Sequence, residues 1–120
     1  MRQIETFRES VGPDIDICLD LNFRFNPRAV IQIARALESY DLLWIEYDTY
    51  DPDVLAYVRR SIQIPLCSAE NLTSVRDYAR FFAAGAMDVA MIDVAWNGIA
   101  PVSYTHLRAH ETRHDLVCRL

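Results

Sequence analysis

The sequence predicts an α/β fold in which short parallel strands alternate with single helices, and three observations predict it. Short apolar runs and helical segments follow one another in turn from Met1 to about Ala100. Turn or cap chemistry marks the changes of element, at Gly12-Pro13, Asn26-Pro27, Asp51-Pro52 and Gly85. Each pair of successive strands is separated by enough chain for one helix, and a strand reached by a helical crossover runs parallel to the one before it.

The elements follow in order. Residues 2–11 read as a helix ended by Gly12-Pro13. Residues 15–21 read as a strand with Ile15, Ile17, Leu19 and Leu21 on one face and Asp16, Cys18, Asp20 and Asn22 on the other. Asn26 followed by Pro27 is an N-cap with proline at the first helical position. The helix it opens has an expected apolar face of Ala29, Ile33, Ala36 and Leu37. A strand over residues 42–46 follows, and Asp51-Pro52 repeats the cap signal before a helix carrying Val54, Leu55 and Val58. A strand over 64–68, a helix over about 73–84 closed by Gly85, and a strand over 89–92 complete the series.

Composition narrows the classes of function. The 120 residues are 52% hydrophobic with a net charge of −5, a globular and not a disordered mix. That charge, with no basic run, excludes non-specific nucleic-acid binding. No stretch has the length of a membrane span, and the charged N-terminus does not read as a secretory leader, so the expected location is cytoplasmic with no membrane partner. All 12 basic residues are Arg, and His106, His110 and His114 lie near the C-terminus, so the first 100 residues offer neither a Lys nor a His base. Cys18, Cys67 and Cys118 fit no metal or redox spacing and are expected to be buried thiols.

An acidic residue closes each strand: Asp20, Glu46, Glu70 and Asp93, separated by 26, 24 and 23 residues. A spacing of one βα unit brings all four to the C-terminal edge of one parallel sheet, where α/β folds and barrels build their sites. One such acid is an ordinary cap or turn residue, but four on consecutive strands are hard to explain that way. Carboxylates gathered on one edge repel unless a cation neutralises them, and an all-oxygen set suits a hard ion such as Mg²⁺. An ion held there could bind a substrate carboxylate and stabilise the charge formed when the neighbouring α-proton leaves.

The phrases around these acids, Val11-Gly12-Pro13-Asp14-Ile15-Asp16 leading to Leu19-Asp20-Leu21-Asn22, Trp44-Ile45-Glu46, Ser68-Ala69-Glu70-Asn71, and Met91-Ile92-Asp93 followed by Asn97-Gly98-Ile99, occur in an order and spacing that resemble one family. It is the enolase superfamily, in its mandelate racemase and muconate lactonizing branch, and the resemblance covers residues 1 to about 99. It implies a partial TIM-type (β/α) barrel, about half of the whole. It also implies Asp20, Glu46 and Glu70 as Mg²⁺ ligands and Asp93 as the catalytic-site Asp that orients a His on the next strand. Asn22, two residues past Asp20 on the same face, is the candidate substrate-binding residue, with a turn-former ahead of Phe23 as the equal alternative.

The departures are local. Tyr47-Asp48 stands where the family continues with Glu-Pro, Ala69 replaces a usual Gly, and Asn97-Gly98 replaces Gly-Gly. Arg24 reads as a solvated loop residue, with a clamp on a substrate carboxylate as the alternative; Asp48 reads as a solvated loop acid, with a group supporting the metal ligands as the alternative; and Trp44, Tyr47 and Trp96 read as packing aromatics.

After Ala100 the βα rhythm stops. Residues 101–120 resemble translated sequencing-adapter sequence, so the natural barrel domain is expected over residues 1–100 with a non-native tail after it. A complete (β/α)₈ barrel takes about 250 residues, so the chain is expected to be a fragment without the proton-abstracting base, and inactive as it stands. Its parent is expected to act on a sugar acid, as a dehydratase first and a racemase or cycloisomerase next, and to be a homo-oligomer. Two other classes remain open: a non-catalytic Mg²⁺-binding module of flavodoxin or receiver type, and a half-barrel that works by self-association.

Overall fold

The computed structural model describes residues 2–97, and the expected tail at 101–120 lies outside them. Four strands, β1 (Cys18–Asp20), β2 (Trp44–Glu46), β3 (Leu66–Ser68) and β4 (Val89–Ala90), form one parallel sheet in the order β1-β2-β3-β4. Sequential neighbours all the way across are what right-handed βαβ crossovers of one helix each produce. Among the described residues five α-helices accompany them, α1 (Arg2–Val11), α2 (Pro27–Leu37), α3 (Pro52–Ser61), α4 (Val75–Ala83) and the single turn α5 (Val94–Asn97), with one 3-10 turn over Glu38–Tyr40. The observed architecture is the expected partial α/β barrel.

The helix starts follow from local chemistry. The Asn26 side chain accepts from Ala29 N, and the Asp51 side chain from Asp53 N and Val54 N, with proline next in both cases. These acceptors satisfy amide donors that the helix cannot pair internally. Helix α4 begins at Val75 and not near Thr73, because Ser74 is the cap and accepts from Asp77 N. It closes at Gly85, whose φ of 60° allows Ala86 N to reach Phe81 O.

The buried face of α2 differs from the one expected. Val30, Ile31, Ala34 and Leu37 are buried, while Ala36 is exposed and Ala29 and Ile33 are half-buried. Both sets have helical spacing; the sheet beneath the helix selects which one is buried. From β2 and β3, Ile45 and Leu66 are wholly buried against Val30, Leu55, Val58 and the other buried residues of the helices. Each such side chain contributes about 1.5–3 kcal/mol of apolar transfer free energy.

Helix α1 buries no residue and is held largely by Arg8. Its guanidinium donates to the carbonyls of Gly12, Ile15, Tyr40 and Asp41, at 2.7 to 3.1 Å. The strands are also shorter than expected. Ile15 is exposed and precedes the ladder, which starts only where Leu43 N reaches Ile17 O. Cys67 is buried and unpaired as expected, but Cys18 is an exposed free thiol: β1 is an edge strand of the described sheet, and its even-numbered face is uncovered.

At the N-terminal ends of the strands, Asp88 ties β3 to β4. Its carboxylate accepts from Leu66 N at 2.9 Å and pairs with Arg59 at 2.6 Å. Conservative stabilising contacts belong at this end of a barrel, and chemistry at the other.

Candidate metal centre

Parallel register places the acids. Asp20 lies opposite Glu46 across β1 and β2, and Glu46 lies opposite Cys67 across β2 and β3. Residues in register share a sheet face, so Asp20 and Glu46 point the same way. After Ser68 the chain turns sharply: Ala69 has φ +94°, a conformation that favours glycine, and this is the position where the sequence departs from a usual Gly. The turn carries Glu70 back over the strand ends. Tyr78 fastens it from α4, with its hydroxyl 3.0 Å from the carbonyl oxygens of Ala69 and Leu72, donating to one at a time.

One oxygen from each of Glu46, Asp48 and Glu70 lies within 4.8 Å of the other two. Glu46 is buried and Glu70 is the most open of the three. Asp48 is therefore not the solvated loop acid expected: it is 1% exposed, and its Oδ1 accepts from Ser68 Oγ at 2.8 Å and from Ala69 N at 3.2 Å. Its place two past Glu46 in extended chain puts it on the same face, but its burial depends on the Ser68-Ala69 turn of the next strand.

The other candidates sit around this cluster. Asp20 is exposed at the end of β1 and its Oδ1 accepts from Asn22 N at 2.7 Å, outside the close group of three. Asn22 is exposed at φ 50°, with its own Oδ1 accepting from Phe23 N at 2.8 Å. Phe23 stacks on Tyr50 across the same end of the sheet, ring centroids 5.4 Å apart. Arg24 is exposed, as expected, and Tyr47 is buried packing. Asp93 follows β4 and accepts from Ala95 N at 2.7 Å, so it caps α5. Asn97, buried at the end of α5, donates to Leu72 O and Asp93 O and fixes that turn against the Glu70 loop. The side chain of Trp96 lies outside the described set.

The electrostatics are those of crowded negative charge. Burial, then Asp20, Asp48 and Glu70, push the Glu46 carboxyl up to about 7. Glu70 is raised by burial and then by Asp48, Asp20 and Asp93. Burial, then Glu46 and Asp48 with smaller effects from Cys18 and Asp20, push the Cys67 thiol up to about 12, so it stays protonated at neutral pH. Asp48 Oδ2 is buried without a hydrogen-bond partner among the described residues. An oxygen-only set, a shared like-charge penalty and a buried carboxylate oxygen with no donor all fit a hard divalent cation.

Comparison with known proteins agrees. Residues 1–118 match the family model described as enolase C-terminal domain-like. The chain is 28% identical over 104 residues to the L-talarate/galactarate dehydratase of Salmonella typhimurium, covering 84% of the chain and 26% of that enzyme. A Burkholderia xenovorans protein provisionally named as an L-alanine-DL-glutamate epimerase, solved with magnesium and fumarate, is 41% identical with a TM-score of 0.83, over 94% of this chain and 28% of that one. A Bradyrhizobium enolase complexed with magnesium and mandelic acid is 32% identical with a TM-score of 0.86, over 90% and 31%. The chain thus spans about a quarter of the length of the curated relatives it matches. With the strand order, the strand-end acids and these matches in agreement, the chain belongs to the enolase superfamily, in its mandelate racemase and muconate lactonizing branch.

Proposed function

We propose that this chain supplies the metal-binding part of the barrel of an enzyme that removes the proton α to a carboxylate, with Mg²⁺ as its cofactor. The observation that carries the reading is the convergence of Glu46, Asp48 and Glu70 at the C-terminal edge of the sheet, with Asp20 in register beside Glu46. When bound, the cation would draw in a substrate carboxylate and stabilise the negative charge that develops as the α-proton leaves.

The residues divide the remaining work. Glu46 and Glu70 hold the ion, and Asp20 adds a charge or a ligand from β1. Asp93 is a positioning residue, set by its cap on α5 to face a cationic or hydrogen-bonding partner. Asn22 would offer its side-chain Nδ2 at the rim to a substrate oxygen. The proton-abstracting base is not among residues 2–97, which contain neither Lys nor His. The chain alone is accordingly expected to bind the ion without turning substrate over.

A sugar acid is the substrate class we put first, with dehydration as the reaction, on the likeness to the talarate/galactarate dehydratase. Epimerisation or racemisation is the second reading, favoured by the 41% identity to the epimerase-named protein. Both share the α-proton step, and the full-length enzyme is read as a homo-oligomer.

The test uses the enzyme in a full-length form, followed by proton NMR in deuterated buffer with galactarate as substrate. Mg²⁺-dependent exchange of the α-proton is expected, and Glu70→Gln, which removes a ligand charge at nearly constant size, is expected to abolish it. Undiminished exchange in that variant would remove Glu70 from the site.

A further inference from the structure

Asp48 is buried in a way that its structural contacts do not use up. Its Oδ1 accepts two hydrogen bonds, from Ser68 Oγ and Ala69 N, and these hold the turn that presents Glu70. Its Oδ2 is equally buried and has no partner among the described residues. An Asn would serve the first role at lower electrostatic cost, since a buried ionised carboxylate is strongly disfavoured unless its charge is compensated. A carboxyl group is instead placed, 1% exposed, beside two other acids. Oxygens around a single Mg²⁺ at about 2.1 Å stand about 3 to 4 Å apart. One oxygen of each of the three residues already lies within 4.8 Å of the other two, so small side-chain rotations bring the three carboxylates onto one ion.

We propose that Asp48 is an inner-sphere ligand of the divalent cation, coordinating through Oδ2 while Oδ1 stays on Ser68 and Ala69. This rests on the metal-site reading above and extends it. Asp48 then joins Glu46 and Glu70 on the ion, with Asp20 beside them in register with Glu46. A carboxylate fixed by two donors on one oxygen is a rigid, single-oxygen ligand, and that suits the strict geometry of Mg²⁺ better than a free carboxylate, which can bind through both oxygens.

The experiment uses the whole 120-residue chain with Tb³⁺ as a luminescent probe and Mg²⁺ as its competitor. Luminescence lifetimes in H₂O and D₂O count the waters on the bound ion. Asp48→Asn keeps an acceptor for Ser68 and Ala69, turns an amide nitrogen toward the ion, and is expected to add about one water and weaken Mg²⁺ by about tenfold or more. Ser68→Ala keeps the carboxylate and is expected to leave the water count as in the parent chain. Asp48→Ser repeats the reading if Asp48→Asn does not fold. An unchanged water count in both Asp48 variants, whatever the affinity, overturns the proposal and leaves Asp48 as a positioning residue. The earlier reading is tested separately by Glu46→Gln: normal binding in that variant, or no binding in the parent chain, overturns the metal site and the proposal together.

Discussion

At the scale of the residue, the most informative group is Glu46. Its carboxyl sits at about 7 because burial and three neighbouring acids disfavour its charge. In the unfolded chain it returns to its ordinary value near 4.5. Between those values the folded state holds a proton that the unfolded state has lost, so stability falls as pH rises through the window and recovers on acidification. In EDTA, the thermal midpoint is expected to rise as pH is lowered from about 7 to about 5, and saturating Mg²⁺ should flatten or reverse that slope. A metal-free midpoint that falls on acidification over the same range would mean that Glu46 is not strained by its neighbours. The residues that set this environment were unevenly legible in the sequence. Glu46 and Glu70 were marked by strand-end spacing. Asp48 was not, because a short loop acid is commonly solvated, and its burial depends on the Ser68-Ala69 turn reaching across from the next strand.

At the scale of the element, punctuation was the clearest sequence signal. Asn26-Pro27, Asp51-Pro52 and Gly85 act where expected, because capping is decided by residues adjacent in sequence. Asn26→Ala and Asp51→Ala each remove a cap acceptor and are expected to lower stability by about 1 kcal/mol in urea unfolding. A cost near zero in both would show that packing alone starts these helices. Strand length and the buried face of α2 were less legible. Both depend on partners distant in sequence: the ladder exists only where a neighbouring strand lies alongside, and the face of α2 is chosen by the sheet beneath it. The Arg59–Asp88 clamp at the far end of the strands was missed for the same reason, since its two members lie 29 residues apart and meet only in the fold.

At the scale of the whole molecule, the described sheet has two ends, β1 and β4, and its two faces differ. The helix-facing side is closed by a continuous core, while the other side carries the exposed Cys18 and Asp20 and the buried acids. Exposed Ile15, Phe23, Phe25 and Tyr50 lie around β1 and the loops at the site end. That polarity divides the molecule into a stability end, clamped by Arg59 and Asp88, and a charge-bearing end that is costly without a cation. The central claim is that the charge-bearing end binds one divalent ion through its strand-end carboxylates. It is tested most directly by isothermal titration of Mg²⁺ into the metal-free chain, with Glu46→Gln and Asp88→Asn run in parallel. The account expects a single site in the parent chain, its loss or a drop of about tenfold or more in Glu46→Gln, and parent-like affinity in Asp88→Asn despite lower stability. Parent-like affinity in Glu46→Gln, or no saturable binding in the parent chain, would contradict it.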